Sequence, residues 1–195
     1  CALPISMILI GLTSTTKNAQ QNDQLEWYLN RLAAGEKNAL QPLYADTKAA
    51  VYGFVLSILK HRSDAEDVMQ ETYLQIYSGA GRYRPQGKPM AWIITIARNL
   101  AMMRLREKNR THEPLEDWTA VSLSPEVTTE DRLMLSLAMQ VLTSDESQIV
   151  MLHAVSGLKH WEIASVLELP LPTVLSKYHR ALKKLKLRLA EEEPQ

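Results

Sequence analysis

The sequence predicts an all-α protein built as two small helical domains joined by a flexible acidic linker. Three observations lead to this. Apolar residues recur at three- and four-residue spacing, and no segment alternates as a half-buried strand does. Residues 112–129 hold Pro114, Pro125, several hydroxyl side chains and the carboxylates Glu113, Glu116, Asp117 and Glu126, which is linker composition. Finally, 195 residues are enough for two compact units.

Taken in order, residues 1–22 are expected to be a disordered extension or an assembly scar, with Met7 as a candidate start; the apolar opening lacks a positive leader and is too short to span a bilayer. Residues 24–35 form a first helix through Leu25, Tyr28, Leu29 and Leu32, closed by Gly35. A second helix runs over 37–60 on Leu40, Leu43, Tyr44, Val51, Val55, Ile58 and Leu59. Ser63 to Glu66 reads as a capping box opening a third helix over 64–78. Gly79, Gly81, Pro85, Gly87 and Pro89 make a basic, aromatic loop, and helix resumes over 90–109. These elements make up an N-terminal domain, residues 23–110. Beyond the linker, helices are expected over 130–142, from a cap at Ser144 to Ser147 to about 155, over 159–168, and over 173–189 after the break Leu169-Pro170-Leu171-Pro172. They form a second domain, residues 130–190, followed by an acidic tail, 191–195.

The formal net charge is zero, but the distribution along the chain matters more than the sum. Arg82, Arg84, Lys88, Arg98, Arg104, Arg106, Lys108 and Arg110 face only Glu107 within their stretch, and Lys159, Lys177, Arg180, Lys183, Lys184, Lys186 and Arg188 form a second basic block. An acidic connector separates them. The one cysteine, Cys1, rules out an internal disulfide and fits a reducing, cytoplasmic setting.

Advancing about 100 degrees per residue along the last helix, Ser176, Lys177, Arg180, Lys183 and Lys184 share one arc, while Val174, Tyr178, Ala181, Leu182, Leu185 and Leu189 lie opposite. Alone, such a helix reads as a solvated amphipathic surface. With the preceding helix of Trp161, Ile163, Ala164 and Leu167 only a few residues away, it reads as the second helix of a helix-turn-helix, shaped for a major groove.

The stretch Gly157-Leu-Lys-His-Trp-Glu-Ile-Ala-Ser-Val-Leu and then Pro172-Thr-Val-Leu-Ser-Lys-Tyr-His-Arg-Ala resembles region four of the bacterial sigma-70 superfamily, particularly its small extracytoplasmic-function members. Two departures stand out: Glu168 and Pro172 occupy the turn where the family usually has glycine, and Leu175 stands where it often has Lys or Arg. The resemblance implies recognition of minus-thirty-five promoter DNA by Thr173, Ser176, Lys177, Arg180, Lys183 and Lys184. In the N-terminal half, Asp64-Ala65-Glu66-Asp67-Val68-Met69-Gln70-Glu71-Thr72-Tyr73 is similar to the region-two helix that binds core RNA polymerase, which implies contacts from Asp64, Glu66, Asp67, Gln70 and Glu71. An acidic, amide-rich helical face suits pairing with basic partner side chains.

Arg82-Tyr83-Arg84, Ala91-Trp92-Ile93 and Ile96-Ala97-Arg98-Asn99 follow the family pattern for minus-ten recognition and strand opening. The resemblance thus adds Arg82, Tyr83, Arg84, Lys88, Trp92, Arg98, Asn99, Arg104 and Arg106 as minus-ten DNA residues. Aromatic faces, amides and a cationic track are what unstacked bases need, and Tyr83 and Lys88 are expected to reach a displaced base. Trp92 fits either a stacking platform or the core.

The implied protein is therefore a cytoplasmic sigma factor whose partners are core RNA polymerase, promoter DNA and an anti-sigma factor, with no cofactor, small-molecule substrate or membrane insertion. No phosphate-binding glycine motif, nucleophile elbow or metal-spaced cluster among the five histidines supports an enzyme. The acidic group Asp64, Glu66, Asp67 and Glu71 lacks the glycine-bent loop of a divalent-cation site. The alternative is a conventional helix-turn-helix transcription factor with an N-terminal effector or dimerisation domain.

Overall fold

The structure, a computed structural model, describes residues 15–111 and 140–191. Its helices are α1 (Thr15–Ala33), α2 (Leu40–Leu59), α3 (Arg62–Gly79), α4 (Pro89–Thr111), α5 (Ser144–Ala154), α6 (His160–Leu167) and α7 (Leu171–Glu191), with short 3-10 turns at Lys37–Ala39 and Ala80–Arg82. The expected linker, the acidic tail and most of the helix expected over 130–142 lie outside the described residues.

Helix α1 begins at Thr15, well before the expected start, so part of the expected disordered extension is helical. Its apolar stripe starts only at Leu25, where the chain meets the bundle, and periodicity is blind to the polar turns before it. Gly35 takes the left-handed turn after α1 at φ 87°. Helix α2 is the hub: Val51, Phe54, Val55 and Leu59 are fully buried, and α3 and α4 pack on it through Ala65, Ile76, Ile93 and Ile94. The buried Thr47 and Tyr73 hydroxyls bond each other at 2.8 Å, and that pairing satisfies polar groups inside the bundle.

Two helices are capped by a residue other than the one expected. His61, not Ser63, caps α3, its Nδ1 accepting from the Asp64 amide at 3.3 Å. Ser63 lies inside the first turn. Thr143, not Ser144, caps α5: its hydroxyl accepts from the Glu146 amide while the Glu146 carboxylate accepts from the Thr143 amide. The last helix starts two residues earlier than expected, and Pro172 sits in its first turn, where the missing N–H has no intrahelical role.

Helices α5, α6 and α7 form a trio that packs directly on the N-terminal bundle. Ile149, Leu152, Leu158, Ile163, Val166, Leu167 and Val174 join one continuous buried cluster with α1 to α4. Gly53, in the middle of α2, lies under Met151 of α5; a Cβ there would stand 2.5 Å from the Met151 methyl.

Candidate functional site

Three surfaces carry the residues singled out above. On α3, Asp67, Gln70 and Glu71 are exposed on one face, and Glu66 is half-buried, its carboxylate accepting from Arg62 at 3.0 Å. Asp64 departs from the expected partner contact: it is buried, with its carboxylate 2.9 Å from His61 Nδ1, and it is ion-paired with Arg104 at 3.3 Å and, closest, with Lys108. It joins the start of α3 to the end of α4. The exposed face is instead extended by two apolar side chains the sequence reading missed, Leu74 and Tyr77, 62% and 39% exposed. Leu74 follows Gln70 by one turn, and exposed apolar groups next to polar ones at helical spacing were the available signal.

The second surface is the loop between α3 and α4 with the outer side of α4. Arg82, Arg84, Asn99 and Arg106 are exposed, and Lys88, Trp92, Arg98 and Arg104 are half-buried. Tyr83 corrects the expectation of a side chain free to reach a displaced base. It is buried against Trp92, with ring centroids 5.2 Å apart, and its hydroxyl donates to Glu26 at 2.8 Å. Burial and that hydrogen bond raise its phenol well above the ordinary range. The same Glu26 oxygen accepts from the Gly87 amide at 2.7 Å, and Gly87 turns at φ 69°, so one carboxylate of α1 clasps both ends of the loop. Glu26 escaped the sequence reading because its partners lie about sixty positions away. Trp92 is shared: it packs on Tyr83 and keeps part of its surface at a cavity of about 270 Å³ also lined by Arg82, Arg84 and Lys88. Arg104 is held by Asp64 and also lies 3.8 Å from Glu107.

The third surface is α7. Its amphipathic division is as expected, but its open arc is rotated. Ser176, Arg180 and Lys183 are exposed, whereas Thr173, Lys177 and Lys184 are half-buried on one flank. Lys177 binds Asp145 at 2.5 Å and Lys184 binds Glu146 at 2.7 Å, both partners on the first turn of α5. Burial opposes the charge on Glu146, but the Lys184 ammonium and the Thr143 amide and hydroxyl outweigh it and hold the carboxyl below its ordinary value. Leu175, His179 and Lys186, none of them among the residues the resemblance assigns to DNA, complete the exposed arc. Behind it, His153 stacks on His160 at 4.4 Å and Tyr178 meets both rings edge-on.

Between α6 and α7 the chain turns at Glu168, which adopts the left-handed conformation at φ 57°, usually a glycine position. Its amide donates to the last turn of α6, as such a cap requires. Among the described residues no group of three or more His, Cys, Asp or Glu is placed to hold a metal ion. No helix among them is long and apolar enough to cross a membrane.

An acidic helical face, an aromatic and cationic loop, and a helix-turn-helix with a basic outer arc are together the features of a helical protein of transcription. Comparison with known proteins narrows the class. Residues 43–111 match the family model of sigma-70 region 2 and residues 132–185 that of sigma-70 region 4. Among curated relatives, the extracytoplasmic-function RNA polymerase sigma factor SigK of Mycobacterium sp. (strain KMS) is 26% identical over 91% of this chain and 97% of its own length. SigK of Mycobacterium ulcerans is 28% identical over 85% and 94%. Of solved structures, CnrH in complex with the cytosolic domain of CnrY is similar at a TM-score of 0.62 and 20% identity, over 87% of this chain and 99% of that one. The sigma factor RpoE in complex with the anti-sigma factor NepR from Bartonella quintana reaches 0.67 at 20% identity, over 80% and 99%. The chain belongs to the sigma-70 superfamily, in its extracytoplasmic-function branch: it is a sigma factor, which directs RNA polymerase to promoters.

Proposed function

We propose that core polymerase docks on the exposed face of α3 through Asp67, Gln70, Glu71 and Leu74, with Glu66 at its margin and Asp64 holding the helix in place. In the same reading minus-ten DNA meets Arg82, Arg84, Lys88, Trp92, Arg98, Asn99 and Arg106, while Tyr83 and Arg104 support that surface from behind. Minus-thirty-five DNA meets Ser176, Arg180 and Lys183, flanked by Thr173, Lys177 and Lys184. The observation that carries the assignment is the pairing, within one chain, of an acidic-amide face on α3 with a cationic arc on α7. A conventional transcription factor has use for the second alone.

In this reading the chain performs no chemistry and takes no cofactor. It supplies orientation on core enzyme and partners for opened bases, and polymerase forms the bonds. Its place of action is the cytoplasm. Relatives solved with an inhibitory partner, as with RpoE and NepR, support regulation of this chain by an anti-sigma factor. The two halves, around 23–110 and 130–190, act as separate DNA-contacting domains.

Run-off transcription with core polymerase on a genomic promoter library tests the reading. Wild type is expected to direct initiation at discrete sites, and Asp67→Ala with Gln70→Ala to lose it while remaining folded. Tight duplex binding by the free protein, without any response to core enzyme, would return the assignment to a conventional helix-turn-helix factor.

A further inference from the structure

The exposed side of α7 changes character along its length. Leu171, Leu175, His179 and Lys183 follow one another at four-residue spacing and are all exposed, so they form one row on the helix. The first two are apolar, 40% and 37% exposed, and among the described residues neither joins a buried apolar cluster. Arg180 lies beside the row, and Lys183 and Lys186 carry it toward the far end. Cations thus occupy the helix from its middle onward, whereas its beginning, just after the Glu168 turn, carries two leucines one turn apart. A lone exposed leucine needs no explanation. Two in one row, continued by cations, give the surface an apolar end and a cationic end.

We propose that Leu175 reads a T·A base pair in the minus-thirty-five element by packing on the C5-methyl group of its thymine. The proposal deepens the promoter-contact reading and rests on it, since it takes α7 as the helix that enters the major groove. In such a motif the N-terminal residues of the second helix meet base edges, and a cationic continuation suits the phosphates alongside. The one apolar group that base edges present in that groove is the thymine methyl. A leucine side chain has neither donor nor acceptor, so it gains from that methyl and leaves the amino group of a cytosine dehydrated without a partner. Selection for thymine therefore has an attractive and a repulsive part. Leu171, one turn earlier, widens the apolar end. The Lys or Arg that the family often carries in place of Leu175 is matched to guanine, so this chain exchanges a guanine reader for a thymine reader.

The test uses core polymerase reconstituted with the full chain and a promoter selected in the run-off library. Each thymine of its minus-thirty-five element, on either strand, is replaced singly by deoxyuridine, which removes the methyl group and leaves the pairing intact. Promoter affinity is read by competition. In wild type one replacement is expected to lower affinity by about threefold to fivefold, as for the loss of one buried methyl group. With Leu175→Ala the same replacement should have no further effect, whereas Arg180→Ala should keep the full effect at a lower overall affinity. Leu175→Arg should prefer G·C to T·A at that pair by about tenfold. An element without a T·A pair, wild type indifferent to every replacement, or an equal effect in Leu175→Ala would overturn the proposal. The replacement series on wild type requires no variant to fold. Weaker binding of Leu175→Ala to core polymerase, with the deoxyuridine effect unchanged, would also overturn it and give the two leucines to a protein partner. Wild type that initiates at no promoter would remove the promoter-contact reading and this proposal with it; wild type that initiates but ignores the methyl groups would remove this proposal alone.

Discussion

Lys184, on the DNA-facing helix α7, has its ammonium 2.7 Å from the nearly buried Glu146 carboxylate of α5. Glu146 also closes the capping box of its own helix, so one carboxylate orders a helix start and steadies a cation beside the groove. The flank of α7 is consequently part of the trio's structure, and the proposed phosphate contacts fall to the outward arc of Arg180 and Lys183.

Exchanging Arg180 or Lys183 for Ala should lower affinity for minus-thirty-five DNA and reduce the salt dependence of binding by about one unit of slope each. Lys184→Ala should instead lower the stability of the trio by about 1 to 2 kcal/mol, the cost of stripping a partner from a buried acceptor. Thermal melts beside salt titrations of polymerase-bound protein separate the two. Equal loss of salt slope in all three variants would contradict the division.

The trio should weaken as pH falls, in two stages. Burial, and then the neighbouring His153 and His179, lower His160 from its ordinary 6.5. The folded form therefore binds fewer protons than the unfolded chain, and stability declines below about pH 6.5. Glu146 is shifted below its ordinary 4.5; its contribution is complete above that value and is lost as pH drops through the folded one. Urea midpoints for the trio at pH 7.5 and 5.5 should differ in wild type and converge in His160→Phe, which keeps the ring packing and removes the proton.

Asp64→Ala should destabilise the N-terminal bundle by about 1 to 3 kcal/mol, because it takes from the buried Lys108 and the half-buried Arg104 the carboxylate that joins the two helices. Asp67→Ala, three residues on and exposed, should leave the melting temperature within about a degree of wild type, as surface substitutions do. Calorimetry distinguishes them. Matching melts for both would mean that the ion cluster holds nothing together.

Leu74→Ala should weaken association with core polymerase by about 1 kcal/mol or more, as expected where an exposed apolar anchor sits among polar neighbours, with folding unchanged. A competition assay against a labelled sigma factor reads this directly. Undiminished competition would remove Leu74 from the interface.

Helical periodicity made most of the fold legible: α2, α4 and α6 fall within a residue or a few of expectation, because each carries an apolar stripe. The ends of α1 and α7 were not legible in that way, since polar turns and a first-turn proline carry no periodic signal. The candidate site divides likewise. Ser176 and Arg180 are exposed on the arc where helical phase put them, and Asp67 and Gln70, named by resemblance, are exposed as a contact face would be. Asp64 and Tyr83 did not, because what draws them inward comes from elsewhere in the chain: Arg104 and Lys108 for one, Glu26 for the other. Phase along one helix cannot say which neighbour will pack against it.

Glu26 precedes the stretch matched by the region 2 family model, which starts at residue 43, yet it fastens the aromatic loop at both Tyr83 and Gly87. The heritable unit of this loop is therefore split along the chain. A chimera that transplants residues 80–90 into a relative would carry the loop's aromatic and cationic side chains without their fastening. Likewise, a fragment trimmed to the family boundary would retain every side chain of the bundle proposed to meet DNA and lose the one that holds their loop in shape.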